Sequence, residues 1–158
     1  MAITLPFHFP ESDPEHSLPP GVQVLGLLRD EHGASLLRQL YYPPEHLLWV
    51  QWFGNLTPES VIAGAKAVLT TQQKLRPLLL LNDKSVATGD WSEAMDWVEF
   101  EWLPLAQQYD LRAFAYVFSP DMNNQLAALE FLTRVRQQLP IQLFYDLDTA
   151  QSWLRAQL

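Results

Sequence analysis

The chain has 158 residues, 48% hydrophobic and 18% charged, with 10 Lys+Arg against 18 Asp+Glu and a formal net charge of -8. This fits one globular domain with a single core and excludes intrinsic disorder, which combines low hydrophobicity with high charge. The absence of cysteine excludes disulfides, thiolate-bound zinc, iron–sulfur clusters and thiol nucleophiles, and points to the cytoplasm.

Residues 1–20 carry Pro6, Pro10, Pro14, Pro19 and Pro20 among Glu11, Asp13, Glu15 and His16, which reads as an extended arm. The opening lacks a basic segment followed by an apolar one, and no apolar run reaches the roughly 18 residues of a membrane span. Val22 to Leu28 is a short apolar stretch, a strand or a loosely packed crossing segment, so 1–34 reads as a Pro-rich arm with a short strand and 35–158 as the domain. Leu36–Tyr42 and His46–Phe53, joined through Pro43-Pro44-Glu45, predict a β-hairpin. Thr57 as N-cap and Pro58 at the first position open a helix ending near Lys74, with Val61, Ile62, Ala65, Val68 and Leu69 on one face.

Pro77–Asn82 is apolar on both faces, the pattern of a central strand covered by helices on both sides. Asp90 and Glu93 resemble a capping box ahead of a helix with Met95, Val98, Trp102 and Leu105 on its inner stripe, kinked or shortened at Pro104. Arg112–Phe118 is the next strand. Ser119-Pro120-Asp121 leads into a helix carrying Leu126, Leu129, Leu132, Val135 and Leu139, and Ile141–Tyr145 is the last strand. Asp146 or Asp148 caps the closing helix, which turns Ala150, Trp153 and Leu154 inward. The fold class is α/β: a β-hairpin followed by repeated α-β units, giving a mixed, mostly parallel sheet of about five strands with helices on its faces.

The hairpin from Tyr41 through Trp49-Val50-Gln51-Trp52-Phe53 to Gly54, and the tail from Leu143-Phe144-Tyr145-Asp146 to Trp153-Leu154, resemble the bacterial STAS-like proteins over about residues 35–158. That family includes the anti-sigma-factor antagonists. The resemblance implies a small module that binds a protein partner and is switched by phosphorylation of a serine after a central strand, in an Asp-x-Ser-Gly arrangement. Asp83-Lys84-Ser85 keeps the Asp-x-Ser spacing, but Val86 stands in the place of the glycine, and the next helix starts later, near Asp90. The resemblance extends to lipid-carrier domains, which require an apolar cavity.

Ligands of open α/β sheets bind beyond the carboxyl ends of the strands. A regulatory or ligand rim therefore falls on Asn82, Asp83, Lys84, Ser85, Ser119, Asp121, Asn123, Asn124, Asp146 and Asp148, chiefly Asn82, Asp83, Ser85, Asp121 and Asp146. The simpler reading of these residues is helix caps and turns. Asp83 suggests the phosphoacceptor of a receiver domain, but the acidic pair and lysine that would accompany it are missing.

Asp90, Glu93, Asp96, Glu99 and Glu101 could share a hard cation, although a solvated helix face explains them more simply, and no metal or other cofactor is expected. His8, His16, His32 and His46 have no metal-binding spacing. No Gly-x-Ser-x-Gly elbow or glycine-rich phosphate loop is present, so no catalytic residue is assigned and an enzyme is not expected. The acidic balance without Lys/Arg clusters disfavours nucleic acid. The aromatic surplus leaves Trp91, Trp97, Phe100 and Trp102 as a candidate interface or pocket. Two functions follow: a noncatalytic cytoplasmic STAS-like regulatory module acting through a protein partner or self-association, and a carrier or sensor of a small apolar ligand.

Overall fold

A computed structural model describes residues 20–158. The extended arm expected over 1–20 lies outside the described residues except for Pro20. The described residues form a six-stranded sheet whose spatial order is the sequence order: β1 (Gln23–Arg29), β2 (Ser35–Tyr42), β3 (Leu47–Asn55), β4 (Leu79–Thr88), β5 (Ala113–Val117) and β6 (Ile141–Phe144). β1, β2 and β3 pair antiparallel, and β3 to β6 pair parallel. The sheet thus has six strands where about five were expected. The additional strand is β1, an edge strand exposed at nearly every position, so its sequence shows no alternation between core and solvent.

The parallel strands are joined by α1 (Pro58–Leu75), by a composite helix α2 over 92–108, and by α3 (Met122–Val135). Crossovers of one hand place all three on the same face. There Val61, Val68, Met95, Trp102 and Phe131 pack on Leu37, Trp52, Leu80, Phe114 and Tyr116. The closing helix α4 (Leu147–Arg155) covers the opposite face, where Ala150 and Leu154 join Leu40, Trp49, Leu79, Leu81 and Val117. β4 therefore lies between two apolar layers, as its uninterrupted leucines require. Among the described residues no helix is long and apolar enough to cross a membrane.

The helix starts expected at Thr57, after Ser119-Pro120-Asp121 and at Asp146 or Asp148 form, the last with Asp146 as its cap. Thr57 and Ser60 bond reciprocally in a capping box, and Asp121 and Asp146 accept backbone N–H groups of Asn123 and Thr149. Asp90 does not cap α2. Its carboxylate accepts the Ser92 N–H in a turn, and the helix begins with a 3-10 turn, Ser92–Ala94, after Trp91.

A π-helical turn, Val98–Trp102, follows and precedes Pro104. Proline lacks an N–H and collides with the carbonyl four residues earlier, and a widened turn relieves that collision. The extra residue rotates the downstream stripe. Leu103 and Ala106 become buried, while Leu105, expected on the inner stripe, is exposed.

Candidate functional site

β4 continues through Thr88, six residues past the Asn82 expected to end it. Asn82, Asp83 and Ser85 therefore lie inside a strand rather than on a loop beyond its end. Alternation along β4 sends Leu80, Asn82 and Lys84 toward the three-helix face, while Leu79, Leu81 and Asp83 go to the α4 side. Next to Lys84 the pairing slips. Gln51 stands opposite Asp83 and Phe53 opposite Val86, so β4 carries one extra residue. Such a bulge bends the strand and re-aims a side chain.

Lys84 is buried, with 2% of its surface exposed. Its Nζ lies 4.0 Å from the ring centroid of Trp91 and 5.1 Å from those of Trp52 and Tyr116. No carboxylate or hydrogen-bond acceptor for that amine is found among the described residues. Burial holds its pKa well below the usual lysine range. The three aromatic faces attract an ammonium, but they do not replace its hydration, so the neutral amine is favoured.

The amine faces a cavity of about 40 Å³ between the sheet and α1, α2 and α3, and every residue lining it is buried. Its walls are apolar, contributed by Val61, Val68, Leu80, Phe114 and Phe131 among others. A cavity needs roughly 10–15 Å³ per water, so this one admits two or three waters or a molecule of similar size.

The polar groups of the wall are almost all donors. Trp52 Nε1–H donates to Asn82 Oδ1 at 2.7 Å, which fixes the amide orientation, because an indole nitrogen can only donate. The Asn82 NH2 is thus left as a further donor. The Tyr116 hydroxyl donates to Asn124 Oδ1 at 2.9 Å, and Asn124 Nδ2 donates to the Gly89 carbonyl. Burial raises the Tyr116 phenol above its ordinary range. Among the described residues the indole N–H groups of Trp91 and Trp102 are buried without a hydrogen-bond acceptor in good geometry, although the Trp91 indole lies near enough to the Tyr116 phenol to oppose the effect of burial on it.

On the opposite face Asp83 is also buried, and burial pushes its carboxyl up, against hydrogen bonds from the Ser85 hydroxyl and N–H and from Trp49. The Ser85 hydroxyl lies 2.6 Å from the Asp83 carboxylate. A phosphate there would face that carboxylate in mid-strand, whereas the resemblance implied a helix start, where phosphate is favoured. Asp121 caps α3 and accepts the Gly89 N–H, and Asp146 caps α4 in solvent. The rim residues are thus spread over both faces of β4 and the starts of α3 and α4.

Of the aromatic candidates, Trp91 and Trp102 meet at the cavity. Trp97 is half-buried with Lys66 Nζ 5.9 Å from its ring centroid, and Phe100 is 63% exposed. Asp96 and Glu99, considered above as cation ligands, pair with Arg134 of α3.

Sequence reasoning placed Lys84 in the rim without giving it a role. The available signal was period-2 alternation: a strand prolonged past Asn82 puts Lys84 on the same face as Leu80.

No protein-family model matches the sequence, and no curated protein matches it either. The chain is similar in structure to a crystallised uncharacterized protein from the DUF3478 family with a SpoIIAA-like fold, from Shewanella loihica PV-4. The two share 16% identity with a TM-score of 0.44 over 85% of this chain and 94% of that one.

Proposed function

We propose that the protein is a noncatalytic STAS-like α/β module that holds a small ligand in the cavity beside Lys84 and acts as its sensor or carrier. The observation that carries this reading is a buried lysine facing an interior space with no counter-ion among the described residues. Such a group costs stability, and a site retained at that cost is a ligand-site candidate. The π-turn of α2 lies at the cavity wall through Val98 and Trp102, a placement frequent at functional sites.

Native mass spectrometry of protein purified from its own cells, followed by denaturing release, tests this reading. It predicts a bound small molecule that is absent from a Lys84→Met variant prepared in the same way. A protein of bare chain mass, unable to take up any small molecule offered to it, would refute it.

A second reading, docking to a protein, is favoured by the outer face of α3, where Met122, Leu126 and Leu129 are exposed at helical spacing. Sedimentation of wild type and Leu126→Lys with the same monomer mass and no retained partner would count against it.

A further inference from the structure

The donor and acceptor inventory of the cavity is one-sided. Lys84 Nζ, the Trp91 and Trp102 indole N–H groups and the Asn82 NH2 line one small space, and the first three have no acceptor among the described residues. Asn82 Oδ1 already accepts from Trp52 Nε1–H, and Asn124 Oδ1 from the Tyr116 hydroxyl. Each buried donor left without an acceptor costs about 1–3 kcal/mol, and a water can relieve some of that because it both accepts and donates. A water cannot supply the counter-charge that an ammonium here would need, whereas a small anion can.

We infer that the cavity is a binding site for a small monocarboxylate, with Lys84 Nζ as its charge partner and the Trp91 and Trp102 indoles as donors to its oxygens. The inference rests on the ligand-holding reading above and specifies the chemistry of the ligand. The volume of about 40 Å³ restricts the class to acids of a few heavy atoms, with formate and acetate as the natural probes.

Among the described residues the wall holds one titratable group besides Lys84, the Tyr116 phenol of β5. Trp91 and α1, α2 and α3 contribute only apolar and tryptophan residues to it, so none of the described carboxylates lines the site. Burial disfavours the charged form of both the free Lys84 amine and the phenol. Where the free amine is neutral, binding a carboxylate takes up a proton from solvent to make the ammonium that pairs with it.

Calorimetric titration of the full chain with formate and acetate, and with formamide and acetamide as neutral isosteres, tests this. It is run near pH 8 in chloride-free buffers of two ionisation enthalpies. The expected result is that the acids bind with uptake of about one proton per molecule and the amides do not. Affinity should fall by about tenfold or more in Lys84→Met and by a few fold in Trp102→Phe, losses of about 1.4 kcal/mol or more and of less than that. Circular dichroism should show both variants folded. Amides that bind as well as acids, without proton uptake, would overturn the anion assignment while leaving a ligand cavity in place. Binding by neither class, together with an empty protein in the mass spectrometer, would overturn both.

Discussion

Replacing Lys84 by methionine is expected to stabilise the ligand-free protein, by an amount that grows as pH falls. In the unfolded chain a lysine titrates near 10.4, while in the fold burial holds Lys84 well below its usual range. Between those two values the unfolded chain carries a proton that the native chain does not. Stability therefore rises with pH through that window, by up to about 1.4 kcal/mol per pH unit, and this group adds no further change above about pH 10.4. Methionine fills a similar volume without a charge to desolvate. The gap between variant and wild type should thus widen about tenfold in the unfolding constant for each unit the pH drops within the window. Attraction to the Trp52, Trp91 and Tyr116 rings offsets some of the cost, but a lowered pKa means that desolvation outweighs it. Urea unfolding followed by tryptophan fluorescence at about pH 9, 8 and 7, in buffers free of small carboxylates, measures the gap. A gap that does not change with pH, or a methionine variant less stable than wild type throughout, would refute the reasoning.

Other consequences follow from neighbouring contacts. A Cβ at Gly64 of α1 would stand 2.5 Å from two ring atoms of Trp52 and 2.8 Å from Leu37. Gly64→Ala should push α1 off the sheet, costing about 1–3 kcal/mol in urea unfolding and weakening formate binding. Asn82→Ala leaves the Trp52 N–H buried without an acceptor, so a loss of about 1–3 kcal/mol in the same assay is expected. Arg134 bonds Asp96, Glu99 and Glu130 at 2.7, 3.2 and 3.1 Å near the surface. Arg134→Ala should cost no more than about 1 kcal/mol, and less at high salt, in a denaturation series against ionic strength.

The hairpin, the cap at Thr57, the helix starts after Asp121 and at Asp146 or Asp148, and the doubly covered centre of the sheet were legible because each depends on local chemistry: an oxygen to satisfy helix N–H groups, or an apolar run of strand length. The end of β4 was not. Its leucines stop at Leu81, and Asn82-Asp83-Lys84-Ser85 has the composition of a turn. Those residues are kept in the strand by non-local partners: β3 alongside, the Trp52 and Trp49 indoles on either face, and the cage around Lys84. Local propensity carries no trace of such pairings, nor of the bulge next to Lys84. The π-turn in α2 was hidden for a related reason, since Pro104 announces a disturbance but not whether the helix kinks, stops or widens. Trp91 and Trp102 stood out as surplus aromatics, but the sequence could not separate them from Trp97 and Phe100, because a one-residue shift of helical register decides which of them face inward.

The most direct test is the protonation state of one atom. With lysine labelled at Cε and Nζ, the Lys84 resonances can be assigned by comparison with Lys84→Met and followed near pH 8 while formate is added. The account predicts the shifts of a neutral amine in the free protein, moving to those of an ammonium as formate saturates the site. An ammonium signal in the free protein that formate does not perturb, or a neutral amine unchanged at high formate, would contradict it.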